Sequence, residues 1–419
     1  MANHMNAAKH KASSKSLLGG AMIIAGTAVG AGMFSLPVVG AGMWFSYSVL
    51  MMLGVWFCML VSGLLLLETN LHYEPGASFD TLTRDTLGNF WRIVNGLSIA
   101  FVLYILAYAY ISGGGSIVNH SLNSLGVELP QSIAGLIFAL GLAIIVFIST
   151  KAVDRITTIM LGGMIITFFL AIGNLLIEIE PSKLFVPDGE ASYLPYMLAA
   201  IPFGLVSFGY HGNVPSLVKY YGKDASTIAK ALTLGTLIAF IIYLCWLIAT
   251  MGNISRSAFV DIIAQGGNMG VLVAALSDVM ASDWLTTMLT LFANLAVASS
   301  FLGVTLGLFD YLADLFGFDE SFNGRLKTAA VTFLPPTLLG LLFPNGFLIA
   351  IGFAALAATV WAAIVPALMA YKARQLFPDS QGFKVPGGTP VIAIVIFYGV
   401  LTAACHLLAM ADLLPLYGS

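Results

Sequence analysis

Eleven apolar stretches follow one another along the chain, at 18–42, 44–67, 93–119, 131–150, 156–177, 193–218, 231–252, 284–309, 328–343, 346–371 and 389–411, and none contains an Asp, Glu, Lys or Arg. A bilayer core takes about 20 apolar residues per helix, so each stretch has the length of a span. Lipid offers no partner for a backbone N–H or C=O, so each must be helical except where it lines a cavity. Only 9% of the 419 residues are charged and 59% are hydrophobic, against about 25% charged in soluble domains. Too few polar side chains remain to cover a soluble surface.

The basic residues orient the chain. With the N-terminus inside, all of the 17 lysines and arginines fall in inner segments except Lys183 and Arg256. That bias supports an odd number of spans, a cytoplasmic N-terminus and an external C-terminus. The expected organisation is a disordered tail over 1–16, one transmembrane domain over 17–412 and a short external tail over 413–419. Within the domain, two five-helix halves cover about 17–178 and 192–375, and an eleventh helix follows at 389–411.

A net charge of -3 without a basic run argues against nucleic acid. Cys58, Cys245 and Cys405 lie in apolar stretches with no metal spacing, so they read as buried hydrophobes. No carboxylate pair, metal cluster or nucleophile with a base stands in a span, so an enzyme is not expected and no cofactor is implied.

Two spans do not read as continuous helices. Span one contains Gly26-Thr27-Ala28-Val29-Gly30-Ala31-Gly32, followed by Pro37. Span six contains Ser207-Phe208-Gly209-Tyr210-His211-Gly212-Asn213, followed by Pro215. Glycine frees the backbone and proline removes a donor, so each cluster predicts an unwound segment at mid-membrane depth. These are the first spans of the two halves, and paired interruptions at corresponding positions point to the binding site of an inverted-repeat carrier. A broken helix offers N–H groups to a carboxylate and C=O groups to an ammonium, which suits an α-amino acid. The competing explanation is that the glycines serve only close helix packing.

His211 and His406 are the ionisable side chains inside the spans, and ionisable residues there are functional candidates. A substrate with fixed net charge would find no buried counter-charge, so a neutral zwitterion is expected. His211, in the span-six break, is the candidate proton carrier, with a neutral hydrogen-bonding role as its alternative. His406, toward the outer end of span eleven and outside the ten-helix repeat, reads as structural or interfacial. Glu68 and Asp310 fall at inner ends, where water is expected to reach them. Tyr104 and Tyr108 share a face of span three. Asn294, Ser299 and Ser300 are polar positions of span eight, the two serines either bonding across helices or forming a candidate cation site. Trp361, mid-span in span ten, is a further substrate-pocket candidate, with packing as its alternative. Composition allows an aromatic pocket without demanding one, and Phe208, Tyr104, Tyr108 and Asn294 could supply its apolar slot and a partner for a ring N–H.

The stretches at 16–20, 30–39, 78–81, 99–105, 207–217, 298–314 and 343–346, the most specific being His211-Gly212-Asn213-Val214-Pro215 and 298–314, resemble the bacterial hydroxy and aromatic amino acid permeases, within the amino acid–polyamine–organocation superfamily. The resemblance implies an all-α, LeuT-like 5+5 inverted repeat with an eleventh helix, in the inner membrane. It implies import of an aromatic amino acid, tryptophan foremost, by proton symport. Gly30, Gly32, Ser207 and His211 become substrate contacts. Proton-coupled members of the superfamily often carry a lysine in helix five, whereas this chain has Leu161-Gly162-Gly163-Met164 there. A sodium-coupled carrier and a tyrosine or phenylalanine carrier are the alternatives of the same fold, and a channel or a membrane enzyme the remote ones.

Overall fold

The computed structural model of the chain describes residues 16–185, 192–280 and 282–418. The tail expected over 1–16 therefore lies outside the described residues up to residue 15. Among the described residues there are eighteen α-helices and no strand. In order they are α1 Leu17–Ala28, α2 Ser35–Gly40, α3 Trp44–Asn70, α4 Phe79–Leu87, α5 Asn89–Asn123, α6 Gln131–Ile148, α7 Thr150–Ile177, α8 Pro181–Phe185 and α9 Met197–Ser207. Then follow α10 Val214–Tyr221, α11 Ala225–Met251, α12 Ala258–Ala264, α13 Met269–Ser277, α14 Asp283–Phe316, α15 Phe322–Leu342, α16 Phe347–Thr359, α17 Val365–Leu376 and α18 Gly388–Met410.

Among the described residues, eight helices, counting α16 and α17 as one, are long and apolar enough to cross a membrane, and the bent pair α1–α2 makes nine. Span six divides into α9 and α10, each too short alone. Span nine corresponds to α15, which begins at Phe322, ahead of the expected 328, and so takes in Arg325 and Lys327.

Helix starts follow local chemistry. Ser16 Oγ accepts from Gly19 N–H, Ser78 Oγ from Thr81 N–H, and Asp224 from Thr227 N–H, each satisfying an orphan donor of the first turn. Between α16 and α17 the chain makes a π-helical turn, Val360–Ile364, in which Val365 N–H bonds Val360 O. Pro366 explains it: proline has no N–H to give the Ala362 carbonyl. That carbonyl instead accepts from Ser62 Oγ on α3 at 2.6 Å.

The longest contacts run α7 along α14, α5 along α16, and α1 along α11, while α3 lies against α9, α11 and α17. Small residues set some of these approaches. A Cβ at Gly235 of α11 would sit 2.5 Å from Ala21 O, and one at Gly115 of α5 would sit 2.7 Å from Gly135 Cα of α6.

Glu68 departs from its expected wet position. It is 1% exposed at the end of α3, where Arg374 Nε and Nη2 reach its two carboxylate oxygens at 2.7 and 2.9 Å. Val385 N–H adds a third bond at 2.7 Å. The segment after α17 folds back over the α3 terminus and covers the carboxylate. Asp310 is exposed, as expected. Removing one partner of a buried pair strands the other, at a cost of about 3–5 kcal/mol. The Arg374 side chain is partly exposed, so Arg374→Ala is expected at the lower end, as a melting temperature several degrees below wild type in detergent. An unchanged melting temperature would show that the pair adds no stability.

Candidate functional site

Both expected breaks are present. α1 stops at Ala28, Val29 and Gly30 run extended, and a 3-10 turn, Ala31–Phe34, leads into α2 with a bend of 51° between the halves. α9 stops at Ser207, Phe208 to Tyr210 leave the helical ladder, and a 3-10 turn, His211–Asn213, leads into α10. A Cβ at Gly26 or Gly32 would meet nothing within 4 Å, so packing does not require glycine at either. Gly30 differs, since its Cβ would lie 2.5 Å from Ser300 Oγ.

Three links join the breaks to each other and to their surroundings. The Tyr243 hydroxyl on α11 reaches Ala28 O at 2.6 Å and Ser207 O at 2.5 Å, so the carbonyl ends of α1 and α9 converge on one proton. Asn213 Nδ2 donates to Thr27 Oγ1 at 2.6 Å, tying the second break to the last turn of α1. Ala31 N–H donates to Ser300 Oγ at 3.0 Å, holding the first break against α14. Tyr243 is fully buried and Phe208 meets it edge to face, with ring centroids 5.3 Å apart.

His211 is fully buried, with neither ring nitrogen hydrogen-bonded. Tyr210 stacks on it at 4.7 Å and Trp361, on the π-helical turn, meets it edge-on at 6.1 Å. Trp361 Nε1 is also buried without a partner. Buried polar groups are nearly always paired, so unpaired ones beside a helix break mark a place built for an additional partner. Tyr210 points away, its hydroxyl donating to Met59 O at 3.0 Å.

On the other flank of the first break, Phe34 lies 5.1 Å from Trp246 and 5.7 Å from Phe292, and Phe168 lies 5.3 Å from Phe292. An apolar cavity of about 220 Å³ opens beside this cluster, walled by Gly26 and Val29 of α1, Met164 and Phe168 of α7, and Phe292 of α14. The Trp246 indole N–H is buried without a partner.

Of the expected site residues, the fold gathers Gly26, Thr27, Gly30, Ala31, Gly32, Ser207, Phe208, Gly209, Tyr210, His211, Asn213, Ser300 and Trp361 around the two breaks. It places others elsewhere. The Tyr104 hydroxyl donates to Val331 O on α15, and that of Tyr108 to Phe343 O in the turn after α15. They do share a face, but it is the one turned to α15. Asn294 donates to Ser121 on α5, and Ser299 turns back onto Ala296 O of its own helix. Within the serine pair only Ser300 bonds across helices. Tyr243, Trp246 and Phe292 were not legible as site residues, because mid-span aromatics in spans seven and eight carry no local signal distinguishing them from packing.

Together these features define a multi-span helical membrane protein in which two helix breaks meet inside the bundle. The chain belongs to the tryptophan/tyrosine permease family, whose model matches residues 13–406. It is 62% identical over 404 residues to a tryptophan-specific transport protein of Pseudomonas aeruginosa, covering 96% of this chain and 97% of that one. It is 59% identical to a tryptophan-specific transport protein of Shigella flexneri, covering 96% and 98%. A tyrosine permease of Enterobacter agglomerans is 42% identical, covering 97% and 99%. It is thus a permease and not an enzyme.

Proposed function

We propose that the chain imports tryptophan across the bacterial inner membrane by proton symport with alternating access, using eleven spans, an internal N-terminus and an external C-terminus. The observation that carries the site is the convergence of the α1 and α9 carbonyl ends on Tyr243, beside an apolar cavity faced by aromatic rings. Helix C-termini carry partial negative charge and favour an ammonium, while the N–H groups of the following turns favour a carboxylate. The cavity beside Phe168 and Phe292 takes the ring. Tryptophan, rather than tyrosine, follows the two relatives near 60% identity, both tryptophan-specific transport proteins. The tyrosine permease at 42% keeps tyrosine as the second reading.

A five-plus-five inverted repeat is supported by the helix contacts. Exchanging each span for the one five positions away turns the α1–α11 contact, spans one and seven, into α9–α3, spans six and two. It likewise turns α7–α14, spans five and eight, into α16–α5, spans ten and three. A random bundle has no reason to contain such mates.

Coupling falls to His211, the buried titratable side chain at the break. One charge moved down 100 mV supplies about 2.3 kcal/mol, roughly fiftyfold accumulation. The test is uptake of labelled tryptophan into proteoliposomes under an inward proton gradient without sodium. Accumulation abolished by an uncoupler, and competed less well by tyrosine and phenylalanine, is the expected result. Accumulation that waits for sodium would move the coupling to the Gly30–Ser300 contact. His211→Ala is expected to lose proton-driven accumulation; wild-type uptake with unchanged proton dependence would remove His211 from both of its roles.

A further inference from the structure

At the end of the bundle opposite the Glu68–Arg374 pair lies a separate cavity of about 330 Å³. Its walls are Val38 of α2, Ala199 and Phe203 of α9, Phe353 of α16 and Ala409 of α18, with the segment after α18 folded across it. That volume falls at the lower end of small-molecule sites, roughly 300–1,000 Å³. Among the described residues, no charged side chain lines it.

Three side chains of the wall carry a polar atom, Tyr196, Tyr417 and His406. His406 of α18 is 8% exposed, and its Nε2 is buried with no hydrogen-bond partner. Gly352 of α16 makes room for the ring, since a Cβ there would lie 2.6 Å from His406 Cε1. Phe353 meets the imidazole edge-on at 5.5 Å. The covering segment is anchored: Tyr417 donates to Arg256 O at 3.1 Å, and the Arg256 guanidinium lies 4.3 Å over the Tyr417 ring while donating to the carbonyls of Ala41 and Gly42.

We propose that this cavity is a second binding site, distinct from the mid-depth site, for a neutral aromatic ring bearing one N–H or O–H donor, of the indole class. A largely apolar chamber, with an imidazole in its wall whose Nε2 has no partner, defines that chemistry. A free amino acid is disfavoured, because its ammonium and carboxylate would be desolvated with no charged side chain in the wall to balance either. A lipid acyl chain is disfavoured because it leaves the buried nitrogen unpaired. A flat ring fills the space between Phe203 and Phe353, and its donor meets the imidazole. The walls have a consequence, which rests on the alternating-access reading. α2 and α9 are the outer halves of the two broken spans, whereas α16 and α18 are not. A ligand seated between them holds both halves against α16 and α18 and slows transport without competing for the substrate.

The experiment is equilibrium binding of tritiated indole to the full chain in lipid nanodiscs, with and without saturating L-tryptophan, beside tryptophan uptake in proteoliposomes. Saturable binding that survives saturating tryptophan is expected. His406→Phe keeps the ring shape and removes the acceptor, so it should weaken binding about fivefold, the scale of one net hydrogen bond. Ala409→Phe fills the chamber and should abolish binding, and Ala199→Phe does the same from the opposite wall. Displacement by tryptophan, unchanged binding in both filling variants, or non-saturable partition into the lipid would overturn the proposal. If wild type fails to accumulate tryptophan while saturable indole binding stands, the transport reading fails and the second site does not.

Discussion

Tyr243→Phe is expected to lose nearly all tryptophan accumulation while folding and inserting as wild type does. The substitution removes one oxygen and keeps the ring, so the edge-to-face contact with Phe208 is preserved. What is lost is the donor shared by Ala28 O and Ser207 O, at a residue with no exposed surface. A buried group left without its partner costs about 1–3 kcal/mol, and here two carbonyls are stranded. A combined loss of about 3 kcal/mol corresponds to roughly a hundredfold in an equilibrium constant. It falls on the geometry of the two breaks, because the hydroxyl is what holds the α1 and α9 termini in register. Tyr210→Phe is the matched control. Tyr210 is equally buried, but its hydroxyl donates only to Met59 O, away from the first break. Tyr210→Phe should therefore lower stability modestly and leave substrate affinity within a few fold. Equal uptake by Tyr243→Phe and wild type would mean that the convergence is a packing detail.

The position of the site could be read from the sequence because glycine and proline interrupt helices for reasons confined to one residue and its neighbours. The break in span one falls at Val29 and Gly30, inside the 26–32 cluster, and α9 ends at Ser207, where the span-six cluster begins. The partners of those breaks were illegible because they are set by tertiary geometry. Tyr243 sits in an apolar run that reads the same whether its hydroxyl bridges two helix ends or caps its own. Tyr104 and Tyr108 show the converse. Their spacing puts them on one face of α5, but which face meets the site depends on the packing of α15 against α5. Glu68 read as wet because a carboxylate at a helix end normally is, and only the return of the chain through Val385 buries it. The π-helical turn at Trp361 had a local cause in Pro366, yet proline near the middle of a span predicts a kink as readily as an inserted residue.

Gly30→Ala combined with Ser300→Ala separates the two things that the first break needs. The added Cβ lies 2.5 Å from Ser300 Oγ but 3.8 Å from Ser300 Cβ, so the clash is with the hydroxyl alone. The hydroxyl can swing aside, but it then abandons Ala31 N–H, which it holds at 3.0 Å. Gly30→Ala should therefore cost about as much as Ser300→Ala, since each ends with the same unpaired N–H, about 1–3 kcal/mol. The double variant removes the clash and the acceptor together and should be no worse than Ser300→Ala. The coupling energy expected is about 1–2 kcal/mol, well above the few tenths typical of independent sites. Read as tryptophan affinity, each single variant falls about tenfold or more and the double falls no further. Strictly additive losses would mean that Gly30 and Ser300 act separately, with the glycine serving the substrate rather than the serine. Gly32→Ala completes the argument, because its Cβ meets nothing within 4 Å. Packing predicts no effect there. A loss of affinity without a loss of stability at Gly32 would place the ligand itself against the backbone of the first break.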